Sequence, residues 1–171
     1  QKLLLDNQKV LDQYIIIEEL ATQTNNHLYK AKNANESSDQ IYIIKALPYQ
    51  TYDDINIFQQ EIEIIELFKD NPSIISYKDQ FEQIIDFEYE NDEGEICHCK
   101  KNFMFVVMDY YEHGDLGNLL RVYKKMKYTE ENVVFFLYQA LNILLALKKK
   151  NIVHHDIKLD NFLIVSHNPI R

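Results

Sequence analysis

The sequence predicts an α+β fold, an antiparallel sheet carrying one helix and followed by a mainly helical part. Three observations predict it. Runs rich in β-branched and aromatic residues recur between 14 and 47, with polar connections short enough for a meander. A helical stripe and then a hairpin-like pair of strands carry the chain to Asp109. Beyond it the longest apolar run, 133–147, has helical character and leads into a tight polar loop.

Length and composition bound the answer further. A chain of 171 residues can form one domain or two small lobes. Its 46% hydrophobic and 26% charged residues are those of an ordinary core-forming protein. A net charge of −9 argues against a nucleic-acid surface, which needs a basic stripe. It leaves room for a nucleotide, because a phosphate pocket needs only a few cations and backbone amides. Cys97 and Cys99 flank His98 and lack the four-ligand spacing of zinc sites, so they read as alternating strand residues. No stretch resembles a signal peptide. The 133–147 run is broken by Gln139 and Asn142 and is short for a bilayer. No membrane segment is expected, and the expected location is intracellular and cytoplasmic.

Residues 1–13 read as a leader, with Leu3, Leu4, Leu5, Val10 and Leu11 spaced for a short helix. The chain opens without Met, as expected of a fragment or processed product. Tyr14-Ile15-Ile16-Ile17-Glu18-Glu19-Leu20 is the first strand, 21–26 a polar connection, and 27–32 a second strand. A polar turn at 33–39 leads to a third strand over 40–47. The spacing predicts a helix over 54–69, with Gln59, Glu63, Glu66 and Asp70 opposite Phe58, Ile62, Ile65 and Phe68. Glu61 falls on the apolar side, where an unpaired carboxylate is costly, unless it is an edge residue reaching solvent. Lys45, on a strand expected to be buried, needs a partner.

Asn71-Pro72 opens a turn, and 81–90 with 95–109 form a long hairpin of period-two patterning. Asn91-Asp92-Glu93-Gly94 supplies its tip, acidic enough to attract a basic partner but read first as a solvated hairpin face. Thr129 is placed to cap a helix running to about 150, and Lys148, Lys149 and Lys150 suit its negative end. That helix is apolar on more than one face and expects burial on several sides. Ser166-His167-Asn168-Pro169 is a turn.

The functional signal lies in Ile152-Val153-His154-His155-Asp156-Ile157-Lys158-Leu159-Asp160-Asn161-Phe162-Leu163-Ile164. Read alone, it could be a polar loop capping a helix. An Asp, a Lys two residues on and an Asn five on nevertheless match the protein-kinase catalytic loop H-R-D-L-x-x-x-N, with His155 in place of Arg. Tyr42-Ile43-Ile44-Lys45 stands for V-A-I-K, and 106–116 resembles the interlobe hinge and the start of the next helix. The chain thus resembles the serine/threonine protein kinases over nearly all of 14–171. The resemblance ends before the D-F-G segment, so it covers the first half or slightly more of a kinase domain. It implies a small lobe over 14–109, and a hinge with the beginning of the large lobe over 110–171.

The resemblance also implies roles. Asp156 handles the substrate hydroxyl, Lys158 steadies the transferred phosphoryl group, Asn161 holds Mg, and His154 is structural. Lys45, paired with Glu61, holds the ATP phosphates. Met108 is the gatekeeper, the backbones of Asp109 and Tyr111 meet adenine, and Asp115 meets the ribose. Leu20, Leu28, Ile43 and Leu163 complete the nucleotide site. ATP and Mg are the implied cofactors and a protein the implied substrate. There are departures. The three glycine positions of the nucleotide-covering loop hold Ala21, Gln23 and Asn26, and glycine is what lets backbone amides approach phosphates closely. Ile43 replaces a small Ala, and only Gly114 remains of a Gly-Gly pair. The missing glycines, Ile43 and His155 support the alternative, a pseudokinase acting as a non-catalytic scaffold or allosteric partner. A third class, a kinase-like fold acting on a small molecule, fits Lys158 and the hinge less well.

Overall fold

The computed structural model describes residues 10–11, 13–23, 26–90, 94–122 and 129–165. The chain divides into two compact units, Gln1–Tyr110 and Tyr111–Arg171.

The first unit is a six-stranded sheet in the order β1-β2-β3-β4-β6-β5, every neighbouring pair antiparallel. Its strands are β1 (Val10–Leu11), β2 (Tyr14–Gln23), β3 (Asn26–Asn33), β4 (Tyr42–Tyr49), β5 (Tyr77–Glu90) and β6 (Ile96–Asp109). One helix, α1 (Tyr52–Glu66), joins β4 to β5. Alternation along β4 divides its side chains between two clusters. Ile44 and Ala46 enter a core with Leu11, Ile16, Tyr29 and Phe105, while Leu47 packs with Met104, Val106, Phe58 and Ile62 beneath α1. Across the first core the Tyr14 hydroxyl donates to Asp79 Oδ2 (3.2 Å) and the Tyr14 ring stacks on Phe81. These contacts tie β2 to the far strand β5.

Several expectations are corrected here. Val10–Leu11 pairs with β2 as a strand, because Leu11 is fully buried in the core and a helix at this point would withdraw it. The rest of the leader, 1–9, lies outside the described residues, as do 91–93 of the hairpin tip and the turn at 166–169. The polar connection expected over 21–26 is largely strand, since Ala21, Thr22 and Gln23 pair with Leu28, His27 and Asn26. Helix α1 begins two residues before the expected 54. Thr51 and Asp54 form a capping box, Thr51 Oγ1 accepting from the Asp54 N–H (3.2 Å) and Asp54 Oδ2 from the Thr51 N–H (2.9 Å).

The second unit carries α2 (Leu116–Val122), α3 (Glu130–Lys149) and a 3-10 turn, Leu159–Asn161. Thr129 caps α3 as its position predicts, accepting from the Asn132 N–H at 3.2 Å. Of its apolar residues only Leu147 is buried, so the expected cover on several faces is not found among the described residues. The helix outruns the apolar stretch that predicted it. Among the described residues α3 is the one helix long and apolar enough to cross a membrane, a test that core helices of soluble proteins also pass.

Candidate active site

In the first unit the sheet register brings together the residues expected around a nucleotide. Leu28 lies opposite Lys45, and Ile43 opposite Met108. Directly opposed residues share a face, and so do residues two apart, so all four share the face on which α1 sits. Lys45 Nζ lies 3.6 Å from Glu61 Oε1, and the Tyr77 hydroxyl donates to that same oxygen at 2.9 Å. Burial, and then the Glu61 charge, push the Tyr77 phenol well above its ordinary range, which keeps it a donor. Glu61 is not enclosed by the apolar face of α1. Its side chain is 45% exposed, so edge position and ion pair hold together.

Leu20 is 44% exposed, beside the second of two register shifts in β2. The backbones of Ala21, Gln23 and Asn26 continue the hairpin, while their side chains lie outside the described set. Asp109 closes β6, and its carboxylate pairs with Lys78 Nζ at 3.0 Å.

In the second unit Gly114-Asp115-Leu116 runs beside 162–164. The Leu116 N–H donates to the Phe162 carbonyl (2.8 Å) and the Ile164 N–H to the Gly114 carbonyl (2.9 Å), so that Asp115 and Leu163 face each other. Asp115 Oδ1 accepts from the Asn118 N–H at 2.7 Å, a cap on α2. Tyr111 starts the unit, and the Gly114 N–H donates to its carbonyl at 3.1 Å.

How α3 ends decides where the 152–164 loop begins. Asn151, at φ 57°, donates its N–H to the Lys148 carbonyl, and the Ile152 N–H reaches the Leu147 carbonyl, each at 3.0 Å. This is a Schellman ending, with Asn supplying the left-handed residue. His155 is also left-handed, at φ 63°. His is among the few non-glycine residues enriched there, and such conformations gather at functional sites. It reverses the chain so that the Asp156 N–H faces His154 Nδ1 (3.3 Å).

The loop then closes on itself. Lys158 Nζ lies 2.8 Å from Asp156 Oδ2, and Asn161 Nδ2 donates both to the Asp156 carbonyl (2.7 Å) and to Asp156 Oδ2 (3.0 Å). The Lys158 ammonium, then the Asn161 amide, hold the Asp156 carboxyl below the usual carboxylate range, and Asp156 raises the Lys158 ammonium in return. With both Nδ2 bonds directed at Asp156, Asn161 retains a carbonyl oxygen for a hard cation. Among the described residues no group of three or more His, Cys, Asp or Glu side chains is placed to hold a metal ion. The Asn161 carbonyl oxygen is one hard oxygen donor of the kind magnesium accepts, an ion that otherwise completes its shell from substrate phosphate and water.

Three features escaped the sequence. Tyr77 as the third member of the Lys45–Glu61 group had no signal, because its placement depends on the turn after α1. Arg121 and Gly117 meet the loop only through the 114–117/162–164 contact.

The sheet with its one helix, the strand lysine held by that helix and the H-x-D-x-K-x-x-N loop define a protein kinase domain. The chain belongs to that family, whose profile, the protein kinase domain, matches residues 18–171. It is 28% identical over 155 residues to serine/threonine-protein kinase MPS1 of Saccharomyces cerevisiae, covering 90% of this chain and 18% of that protein. It is 27% identical over 161 residues to serine/threonine-protein kinase ppk31 of Schizosaccharomyces pombe, covering 94% of this chain and 14% of that protein. A stretch of 70 residues is 39% identical to serine/threonine-protein kinase atg1 of Dictyostelium discoideum, covering 40% of this chain and 10% of that protein. The chain thus spans 18% or less of the length of these relatives.

Proposed function

We propose that the protein to which this domain belongs is a serine/threonine kinase, moving the γ-phosphoryl group of ATP to a protein hydroxyl. The observation that carries the proposal is the closed group of Asp156, Lys158 and Asn161, held by three contacts of 2.7–3.0 Å. Asp156, ionised and hydrogen-bonded, orients the attacking hydroxyl and accepts its proton late, as a weak base must. Lys158 releases Asp156 to meet the phosphoryl oxygens, and the Asn161 carbonyl oxygen would hold Mg, which would supply charge neutralisation. Lys45, steadied by Glu61 and Tyr77, takes the α/β-phosphates. In the first unit Leu20, Leu28, Ile43 and Met108 stand at the kinase positions for flanking the base and the Asp109 backbone at one for binding it; in the second unit Leu163 and the Tyr111 backbone stand at the corresponding family positions. Asp115 keeps Oδ2 for the ribose while Oδ1 caps α2. Serine/threonine preference is supported by Lys158 and by the names of the relatives.

A second reading, a pseudokinase, is favoured by Ala21, Gln23 and Asn26 where glycines would bring amides to the phosphates. One experiment on the full-length protein decides. Ligand at one hundred times its dissociation constant stabilises by about 2.7 kcal/mol, so Mg-ATP should raise the melting temperature. A radiolabel should appear on a serine/threonine substrate, and Asp156→Asn should abolish it while keeping most of the melt shift. No shift at millimolar Mg-ATP and no label across a substrate panel would establish the pseudokinase. A shift without label would establish a nucleotide-binding scaffold.

A further inference from the structure

We propose that Arg121 and Gly117 are positioning residues that hold Asp160, and through it the turn carrying Asn161, against Asp156. The role rests on the kinase reading above and extends it to two side chains on α2. Arg121 Nη1 lies 2.8 Å from Asp160 Oδ1, and Nη2 lies 3.8 Å from Asp115 Oδ1, so one guanidinium spans the α2 cap and the loop. A Cβ at Gly117 would stand 2.9 Å from both Asp160 Cγ and Oδ1 and 3.0 Å from Oδ2. The two 2.9 Å distances are closer than real carbon contacts come, so the carboxylate occupies space that only glycine leaves and an alanine would displace it. Asp160 is therefore held from two sides, by charge and by shape.

The consequence reaches Asn161 through the backbone. Both residues belong to the 3-10 turn, in which the Asn161 N–H donates to the Lys158 carbonyl (3.0 Å) and the Phe162 N–H to the Leu159 carbonyl (3.2 Å). Releasing Asp160 frees the middle of a three-residue turn whose last member makes both bonds to Asp156. Groups that orient a metal's ligand without touching the metal typically change its affinity about 10–100-fold when removed. Arg121 is 61% exposed and Asp160 44%, which places the effect at the lower end.

The test uses the full-length protein with Arg121→Ala, Gly117→Ala, their combination and Arg121→Lys. Without ligand, amide hydrogen exchange at Asn161 and Phe162 should rise in the first three and stay near wild type in Arg121→Lys. The Mg2+ concentration for half-maximal phosphoryl transfer should rise about tenfold, with the KM for ATP at saturating Mg2+ changed less than about twofold. The double variant should be no worse than either single, because both free one carboxylate. Unchanged exchange overturns the proposal, as does an equal loss of KM and metal response. A wild type with protected amides and no transfer at any Mg2+ concentration overturns the kinase reading and the catalytic role with it. The exchange arm separates that failure from failure of the clamp.

Discussion

Asp156 is the residue proposed to accept the hydroxyl proton, and its ionisation is set by neighbours rather than by burial. Because its folded pKa lies below the unfolded value of about 3.9, its interactions stabilise the fold above that value. They are lost as pH falls through the lower, folded one. Asp156 therefore stays ionised across neutral pH and contributes no acid limb to the rate profile above about pH 4. Lys158→Ala removes the first cause of the depression, so the Asp156 carboxyl should titrate closer to about 3.9. Carbon-detected NMR of the carboxyl in both forms measures this, and an unmoved titration would mean that Lys158 does not set it. At the same scale His155 lacks the forked guanidinium of the family's Arg, yet it occupies a left-handed position that histidine accepts.

Among the elements, α1 and β4 meet through Lys45 and Glu61. The pair is 25% and 45% exposed, so its coupling should be about 0.5–1 kcal/mol, not the ~3–5 of an enclosed pair. A double-mutant cycle with Lys45→Met and Glu61→Gln in the full-length protein should show that coupling, and strict additivity would refute it. The helix and its apolar face were legible from local spacing, Phe58 and Ile62 four apart, whereas the Lys45–Glu61 pair was implied by the resemblance to the kinase family. The register was legible only in part. The polar Thr22 and Gln23 read as loop, yet they pair across the hairpin with His27 and Asn26, where backbone bonding outweighs side-chain preference. The group of Asp156, Lys158 and Asn161 was visible as a motif because its members lie within six residues. The Arg121–Asp160 contact was not, because its partners come together only when distant segments align.

At the scale of the whole chain, α3 leaves Val134, Leu137, Leu141 and Leu145 between 49% and 63% exposed along one side. A continuous apolar stripe of this kind promotes association. The 171-residue chain by itself should therefore form concentration-dependent oligomers in sedimentation velocity, and a monodisperse monomer with one cooperative melt would contradict this. The two backbone bonds between 114–116 and 162–164 have a different consequence. They close a ring of roughly 50 residues, which for a flexible chain costs about 3.5 kcal/mol of entropy. Two hydrogen bonds return only about 2 kcal/mol. The difference must come from Leu116, Leu119 and Ile164, buried with Phe136 and Phe162. Order in the polar turn is then underwritten by grease. Ile164→Ala, which removes no polar group and costs about 2–4 kcal/mol, should abolish phosphoryl transfer at temperatures where the β-sheet signal in circular dichroism is still native. Activity that survives until the sheet itself melts would show that the ring closes without it.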